Sequence, residues 1–434
     1  MNGFGRRAFL AAMASAASAQ ALGRTPLTGT LRLRLPLNFD GLDPHSLDDP
    51  LSALFAPAIA DPLFAFDATN KPYPALASAL PERTARGARL NLRPGLVSAR
   101  GKALSGADVV FSWQRARALG GAAVLSTFRT PSADRKDPLS VLFPEADPSA
   151  LARALACPLT ALVPRGFSPG TPDGTGAFKA NLGAGALNLV RNESGARAGS
   201  FLERIEVTRA MDLADALRAF EAGSVDIGWL GNGLYRARAG ALALEGPVFG
   251  WIVLRTGLEA KAWGAPGIAQ QLAATLPADA LAHFGVRALA NAGVGSHWGG
   301  GPCEMLVPDD APHAVEFARA LEPLLSTAGN EVHATPTPRA AWLEARRTRR
   351  FALLLDFVRQ PGSDPVHATQ ALLAAVDPAL AKRPPHNLTA LTDLTRALPM
   401  GIIGEARITG ARMPAFEGLE AWQLGSVWFD EAKQ

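Results

Sequence analysis

Two stretches of this chain switch between strand and helix periodicity in the same order, and that alternation constrains the fold more than any other feature. In the first, Ala186 to Asn192 and Ile205-Glu206-Val207 read as strands, Asp212 opens an Ala/Leu-rich helix that stops at Glu221-Ala222-Gly223, and Val225-Asp226-Ile227 is a strand again. Glycine stops such a helix because it takes up the left-handed backbone without a steric penalty. In the second, Ala314 to Leu325 is a helix, Val332 starts a strand, Arg339 to Arg346 is a helix, and Phe351 to Leu355 is a strand apolar enough to be buried on both faces. Strand and helix in alternation bury their apolar faces against each other, which predicts an α/β architecture. With 434 residues, 48% of them hydrophobic, there is material for two or three domains with cores of their own.

The rest of the chain supplies shorter signals. Leu31 to Leu37 alternates Leu with Arg, the period of a half-buried strand, and runs into a turn at Gly41-Leu42-Asp43-Pro44. Pro50 to Phe64 is apolar at helical spacing, and Arg89 to Arg93 is another alternating strand. Ser105 caps a helix reaching about Leu119, with Asp108 in its first turn, where the helix dipole favours a carboxylate. Arg346 to Arg350 reads as a basic turn in solvent.

The first residues have the layout of an export signal: Arg6-Arg7, an uncharged Ala-rich stretch to Leu22, and Ala-x-Ala sites at Ala17 to Ala19 and Ala19 to Ala21. Arg6-Arg7-Ala8-Phe9-Leu10 resembles a twin-arginine motif, with Gly5 and Ala11 departing from its usual residues. Residues 1–21 are therefore expected to be removed on export to a periplasm. A lipid anchor needs a Cys next to the signal, yet the only cysteines are Cys157 and Cys303, expected as two separate buried thiols or, in an oxidising compartment, as one disulfide. No apolar run reaches the ~18 to 20 residues that cross a bilayer.

Net charge is 43 basic minus 39 acidic residues, or +4, and loss of Arg6 and Arg7 lowers it to +2. No basic stripe with interleaved aromatics appears, so nucleic acid is not an expected partner. Catalytic signatures are missing too: there is no Gly-x-Ser-x-Gly elbow, no phosphate-cradling loop and no His-Glu-x-x-His. Gly293 to Gly299 misses the dinucleotide fingerprint because Trp298 stands at its third glycine. The seven histidines show no ligand spacing and the cysteines no CxxC. Neither a cofactor nor a metal is expected, and the protein is read as a non-enzyme.

Several fragments taken together have a familiar order. Leu42-Asp43-Pro44, Asp61-Pro62-Leu63-Phe64, Pro74 to Ala77, Leu92 to Gly95 and Ala107 to Ser112 resemble the opening of the family 5 extracytoplasmic solute-binding proteins, the peptide, nickel and related receptors of ABC importers. The resemblance continues through Gly174 to Phe178, Ala222 to Ile227, and Phe351 to Asp364-Pro365. It implies a two-lobed periplasmic binding protein fold of type II, in the large peptide-binding-like class, with a hinge and an interlobe ligand cleft. Lobe I would comprise 29–247 plus 401–434 and lobe II 248–400. The implied function is capture of a peptide-like or other small polar ligand and its delivery, by a monomeric receptor, to ABC transporter permease subunits. A sensory or chaperone-like binding protein on the same fold is the alternative.

The departures from the family pattern concern the ligand. Peptide-binding members hold the ligand's amino group with an acid just before Asp-Pro, where this chain has Gln360 or Pro361, and a dipeptide receptor's carboxylate-binding Arg is replaced by Val307-Pro308-Asp309. The family's Gly-Trp after the buried strand is Asp356-Phe357 here, and an aromatic position ahead of Trp342 is Arg339. Asp356, Phe357, Arg359 and Arg339 are thus candidate ligand-binding residues. Asp356 could instead end a strand in solvent, and Arg339 could cap a helix. Trp251 and Trp298 join the candidates as aromatic cleft walls, or else serve as a core residue and a loop anchor.

Overall fold

The computed structural model describes residues 29–197, 200, 202–229, 240–289, 294–382, 384 and 391–412. The expected export segment and residues 413–434 lie outside them. The described residues are mixed helix and sheet, an α/β architecture. The first sheet orders its strands Thr30–Leu35, Arg204–Arg209, Ala186–Arg191, Phe178–Gly183. Its opening strand runs parallel to Arg204–Arg209, with Leu31 opposite Ile205 and Leu33 opposite Val207. The Leu/Arg alternation does what its period demands: Leu31, Leu33 and Leu35 are buried, while Arg32 and Arg34 turn outward to Asp226 and Asp215.

The helix expected over Pro50 to Phe64 is shorter, Pro50–Ile59. Asp49 caps it by accepting from the Leu51 and Ser52 amides. It ends because the residue before Pro62 is sterically biased away from helical backbone; Phe64–Phe66 instead pairs with Pro72–Pro74. A small sheet of Glu82–Thr84, Gly87–Asn91, Ser140–Pro144 and Ser132–Ala133 is covered by the helix Gly106–Ala118. Ser105 and Asp108 form the capping box at its start. Asp212 likewise caps Leu213–Glu221, and the strand after it is Ile227–Trp229, two residues later than the spacing suggested.

The largest sheet organises the molecule. Its order is Ile227–Trp229, Met400–Arg412, Leu242–Thr256, Leu353–Arg359, Cys303–Pro308, Val332–Thr337, with Val286–Ala288 added against Met400–Arg412. The outgoing strand Leu242–Thr256 and the return strand Met400–Arg412 are antiparallel, and their pairing shifts register between Glu245 and Val248, Val248 and Gly250, and Ile252 and Val253. Each shift is a local bend in the strand pair. Cys303–Pro308 runs parallel to both Val332–Thr337 and Leu353–Arg359, the crossover geometry that the second alternating stretch implied.

Three large apolar cores and smaller clusters form among the described residues. One lies on the first sheet around Leu33, Phe55, Phe178 and Val207. Another holds Leu254, Met305, Phe317 and Leu353. The third joins distant parts of the chain, packing Trp113, Phe143 and Leu155 with Trp251, Val358, Leu372 and Met400. Cys157 and Cys303 are free thiols, and Cys303 is only half-buried, less enclosed than expected. Burial pushes the Cys157 thiol up to about 12. No helix among the described residues is long and apolar enough to cross a membrane.

Candidate functional site

The seam between the N-terminal region and the large sheet gathers most of the candidate residues. On the sheet, Trp251 faces Val358, Val253 faces Asp356, and Arg255 faces Leu354 across the Leu242–Thr256 and Leu353–Arg359 pair. Directly opposed residues point to the same side, so Trp251, Arg255 and Asp356 share one face. The helix Arg339–Thr348 packs there too, with Trp342 against Phe351 and Leu354.

Asp356 is buried, 4% exposed, and does not end its strand in solvent. Its Oδ2 accepts from Arg346 Nε at 2.7 Å and from Arg255 Nη1 at 3.0 Å, and its Oδ1 accepts from the Phe357 amide at 2.8 Å. Burial alone would raise the carboxyl, but Arg346 and Arg255 outweigh it and hold Asp356 below the usual carboxylate range. Burial lowers Arg255, against the pull of Asp356. For Arg346, Asp356 and Asp48 more than offset desolvation, and its pKa is raised.

Arg346 also reaches across the seam, with Nη1 at 3.0 Å from Asp48 Oδ2, and Ser46 Oγ donates to Asp48 Oδ1 at 3.1 Å. The five-residue basic run is therefore not a uniform solvated turn. Arg346 faces inward, Arg347 pairs with Glu344 at the surface, and Arg349 ends the helix in left-handed backbone at φ 59°. Helical spacing explains the difference: Arg339, Trp342 and Arg346 lie three and seven positions apart, on one face. The guanidinium carbons of Arg339 and Arg346 stand 5.3 and 5.7 Å from the Trp342 ring centroid.

Arg339 is the first residue of its helix and is partly exposed, 3.9 Å from Asp310 Oδ1. Asp310 Oδ2 accepts from Asn38 Nδ2 at 2.7 Å, a second polar link across the seam. Asp49 is pushed up to about 6 by burial, although Ser52 and Arg339 favour its charged form. Arg359 is fully buried and meets no carboxylate among the described residues: its Nη1 donates to the carbonyls of Pro44 at 2.8 Å and Ser46 at 3.4 Å, and burial lowers it to about 10. Phe357 packs 5.7 Å from Phe249 and lies over Gly250, where a Cβ would collide with its ring.

The remaining candidates lie outside this ion cluster. Trp251 is 1% exposed, in the core joined by both halves of the chain, and its indole N–H has no partner among the described residues. Trp298 sits away from the seam in the core of the large sheet, donates to the Gly301 carbonyl at 2.6 Å and packs against Trp263. Gln360, in the place of the family's amine-binding acid, donates from Nε2 to the Gly362 carbonyl at 3.2 Å. Sequence reasoning missed Asp48, Arg255 and Arg346. The shared face of Arg339, Trp342 and Arg346 was a readable signal, whereas Asp48 and Arg346, 298 positions apart, leave none. Among the described residues no group of three or more His, Cys, Asp or Glu could hold a metal ion.

No protein-family model matches the sequence, and no curated protein matches it significantly. Solved structures do match in fold. The ABC transporter-associated periplasmic binding protein DppA from Helicobacter pylori, in complex with the peptide STSA, superposes with a TM-score of 0.68 at 13% identity, over 91% of this chain and 95% of that one. NikA from Staphylococcus aureus, in complex with Ni(L-His)2, gives 0.66 at 12% identity over 89% and 95%. AgaA from A. tumefacien R10, in complex with agropinic acid, gives 0.64 at 16% identity over 92% and 97%. The chain has the two-lobed α/β fold of the family 5 extracytoplasmic solute-binding proteins that its sequence resembles.

Proposed function

We propose that this protein is a periplasmic solute-binding receptor that closes on a small polar ligand between its lobes and presents it to an ABC importer, without covalent chemistry. The observation that carries this reading is the near full-length fold match to binding proteins solved with a peptide, an opine and a nickel chelate. The seam adds support, since polar side chains from sequence-distant segments meet there, as a ligand contacting both lobes in the closed state requires. In this proposal the lobes are 29–247 with 401–434, and 248–400. The receptor is a monomer, exported through the twin-arginine route. Changing Arg6 and Arg7 to Lys is expected to block processing; a processed double variant in the periplasm would exclude that route.

Both ends of a dipeptide clamp are replaced, by Gln360 or Pro361 and by Val307-Pro308-Asp309. An unmodified dipeptide would therefore bury two uncompensated charges, each costing several kcal/mol. Native mass spectrometry of periplasmic protein is expected to reveal a carried-over small molecule, and calorimetry to find no submicromolar dipeptide. A tight dipeptide would overturn the ligand assignment, and the absence of any ligand or partner permease would overturn the receptor reading.

A further inference from the structure

The face formed by Arg339, Trp342 and Arg346 has more donors than its partners fill. The Arg339 guanidinium makes no hydrogen bond among the described residues; its nearest carboxylate oxygen, Asp310 Oδ1, is 3.9 Å away and is itself buried without a hydrogen-bond partner. The Trp342 side chain is 1% exposed, and its indole N–H also has no acceptor among the described residues. Arg346 meets Asp356 through Nε and Asp48 through Nη1. Asp49, next in the chain, spends its oxygens on the Leu51 and Ser52 amides and the Ser52 hydroxyl. A buried donor without an acceptor costs free energy until one arrives, and planar guanidinium groups suit carboxylates best.

We propose that Arg339, Trp342 and Arg346 form the subsite for a small dicarboxylate ligand, and that Asp48 is a built-in competitor occupying one of its two carboxylate positions. This rests on the receptor reading above. The two guanidinium carbons stand 5.3 and 5.7 Å from the same Trp342 ring centroid, so the ligand bridges them with a spacer of a few carbons as the seam parts and uncovers the Trp342 ring, which is buried here. Its carboxylates supply the acceptors that Arg339 and the Trp342 N–H lack, and the Asp48 side chain turns out to solvent. A plain latch between lobes would need only the Asp48–Arg346 pair and would not call for a second guanidinium over the Trp342 ring.

The test is calorimetric titration of the full chain, dialysed free of carried-over ligand, with adipate, inorganic phosphate and putrescine. Adipate is expected to bind and putrescine to fail. Arg339→Ala is expected to weaken adipate by about tenfold or more, the loss of one charge-assisted contact. Asp48→Asn is expected to strengthen adipate several-fold, which a purely structural Asp48 would not do. Arg346→Lys, which keeps the charge but loses the fork, is expected to weaken adipate while the protein stays folded by circular dichroism. Phosphate binding without adipate, preference for putrescine, or unchanged affinity in both Arg339→Ala and Asp48→Asn would overturn the proposal. If no probe binds while native mass spectrometry recovers a ligand of other chemistry, the subsite falls and the receptor reading stands. If no ligand of any kind is found, both fall.

Discussion

The seam has an apolar edge and a polar edge, and they are built from opposite chemistry. Along the apolar edge, Trp251, Val358, Leu372 and Met400 merge with Leu47, Leu125, Leu155 and Leu162 into one core. Along the polar edge the links are single contacts: Asn38 with Asp310, Arg346 with Asp48, and the Leu213 amide with Glu316 at 3.4 Å. Separating the apolar edge would return buried hydrocarbon to water at ~25 cal/mol per Å2. Separating the polar edge exchanges ion pairs and hydrogen bonds for water, at a net cost of about 1 kcal/mol each. A molecule with both is expected to part on the polar side and stay joined on the other.

The largest effect should come from the apolar edge. Trp251→Ala is expected to lower stability by about 3–5 kcal/mol in denaturant unfolding, through a cavity in a core shared by both halves. A loss below ~1 kcal/mol would mean that the shared core does not hold the halves together. Next is the ion cluster behind the polar edge: Asp356→Ala leaves Arg255 buried without its carboxylate and should cost about 3 kcal/mol. The same variant should spare the fold if Arg255 can reach solvent, and then the cluster belongs to the movable side.

A smaller effect appears with pH. Burial pushes Asp49 and Asp61 each up to about 6. Their folded pKa lies above the unfolded value, so the folded chain holds protons that the unfolded chain releases. The stabilisation is complete below about pH 4 and is lost as pH rises through about 6, on the order of 2 kcal/mol per group. In the same window the buried imidazoles of His45, His313 and His367, each lowered to about 4, act in the opposite sense, so the two carboxyls are expected to blunt a rise of Tm with pH. Asp49→Asn, which keeps the helix cap, should steepen that rise if the polar edge blunts it; Asp61→Asn should do so if the Thr175 side of the first core does. A slope untouched by both variants would remove these groups as contributors. Smallest of all, Arg347→Ala deletes only a surface pair with Glu344 and should shift stability by less than ~0.5 kcal/mol.

What could be read from the sequence was local. The Leu/Arg period of Thr30–Leu35, the caps at Ser105 and Asp212 and the second strand-helix alternation each depend on neighbours within one or two turns, and each formed close to where the pattern put it. The return strand Met400–Arg412 carried little signal, because Gly401, Gly404 and Gly410 interrupt its alternation; at Gly401 a Cβ would collide with the Ala269 backbone. The site was less legible than the fold. Asp356 and Arg339 stood out as departures from a family pattern, but what they touch depends on chain folding over hundreds of residues. Arg346 was hidden inside a basic run whose members Arg347 and Arg350 are exposed.

The bonds of Arg359 bear on how the polar edge would move. Its backbone amide donates to the Leu47 carbonyl at 2.7 Å, and its guanidinium holds the carbonyls of Pro44 and Ser46. Carbonyls do not titrate, so neither acid nor the screening that weakens surface ion pairs releases this grip. If the lobes hinge as proposed, residues 44 to 47 would serve as the fulcrum. Asp48, one residue beyond it, would then sit on a short lever arm, and a change of side-chain rotamer would withdraw it from Arg346. Asn38, on the far side of the fulcrum, would sweep the longer arc.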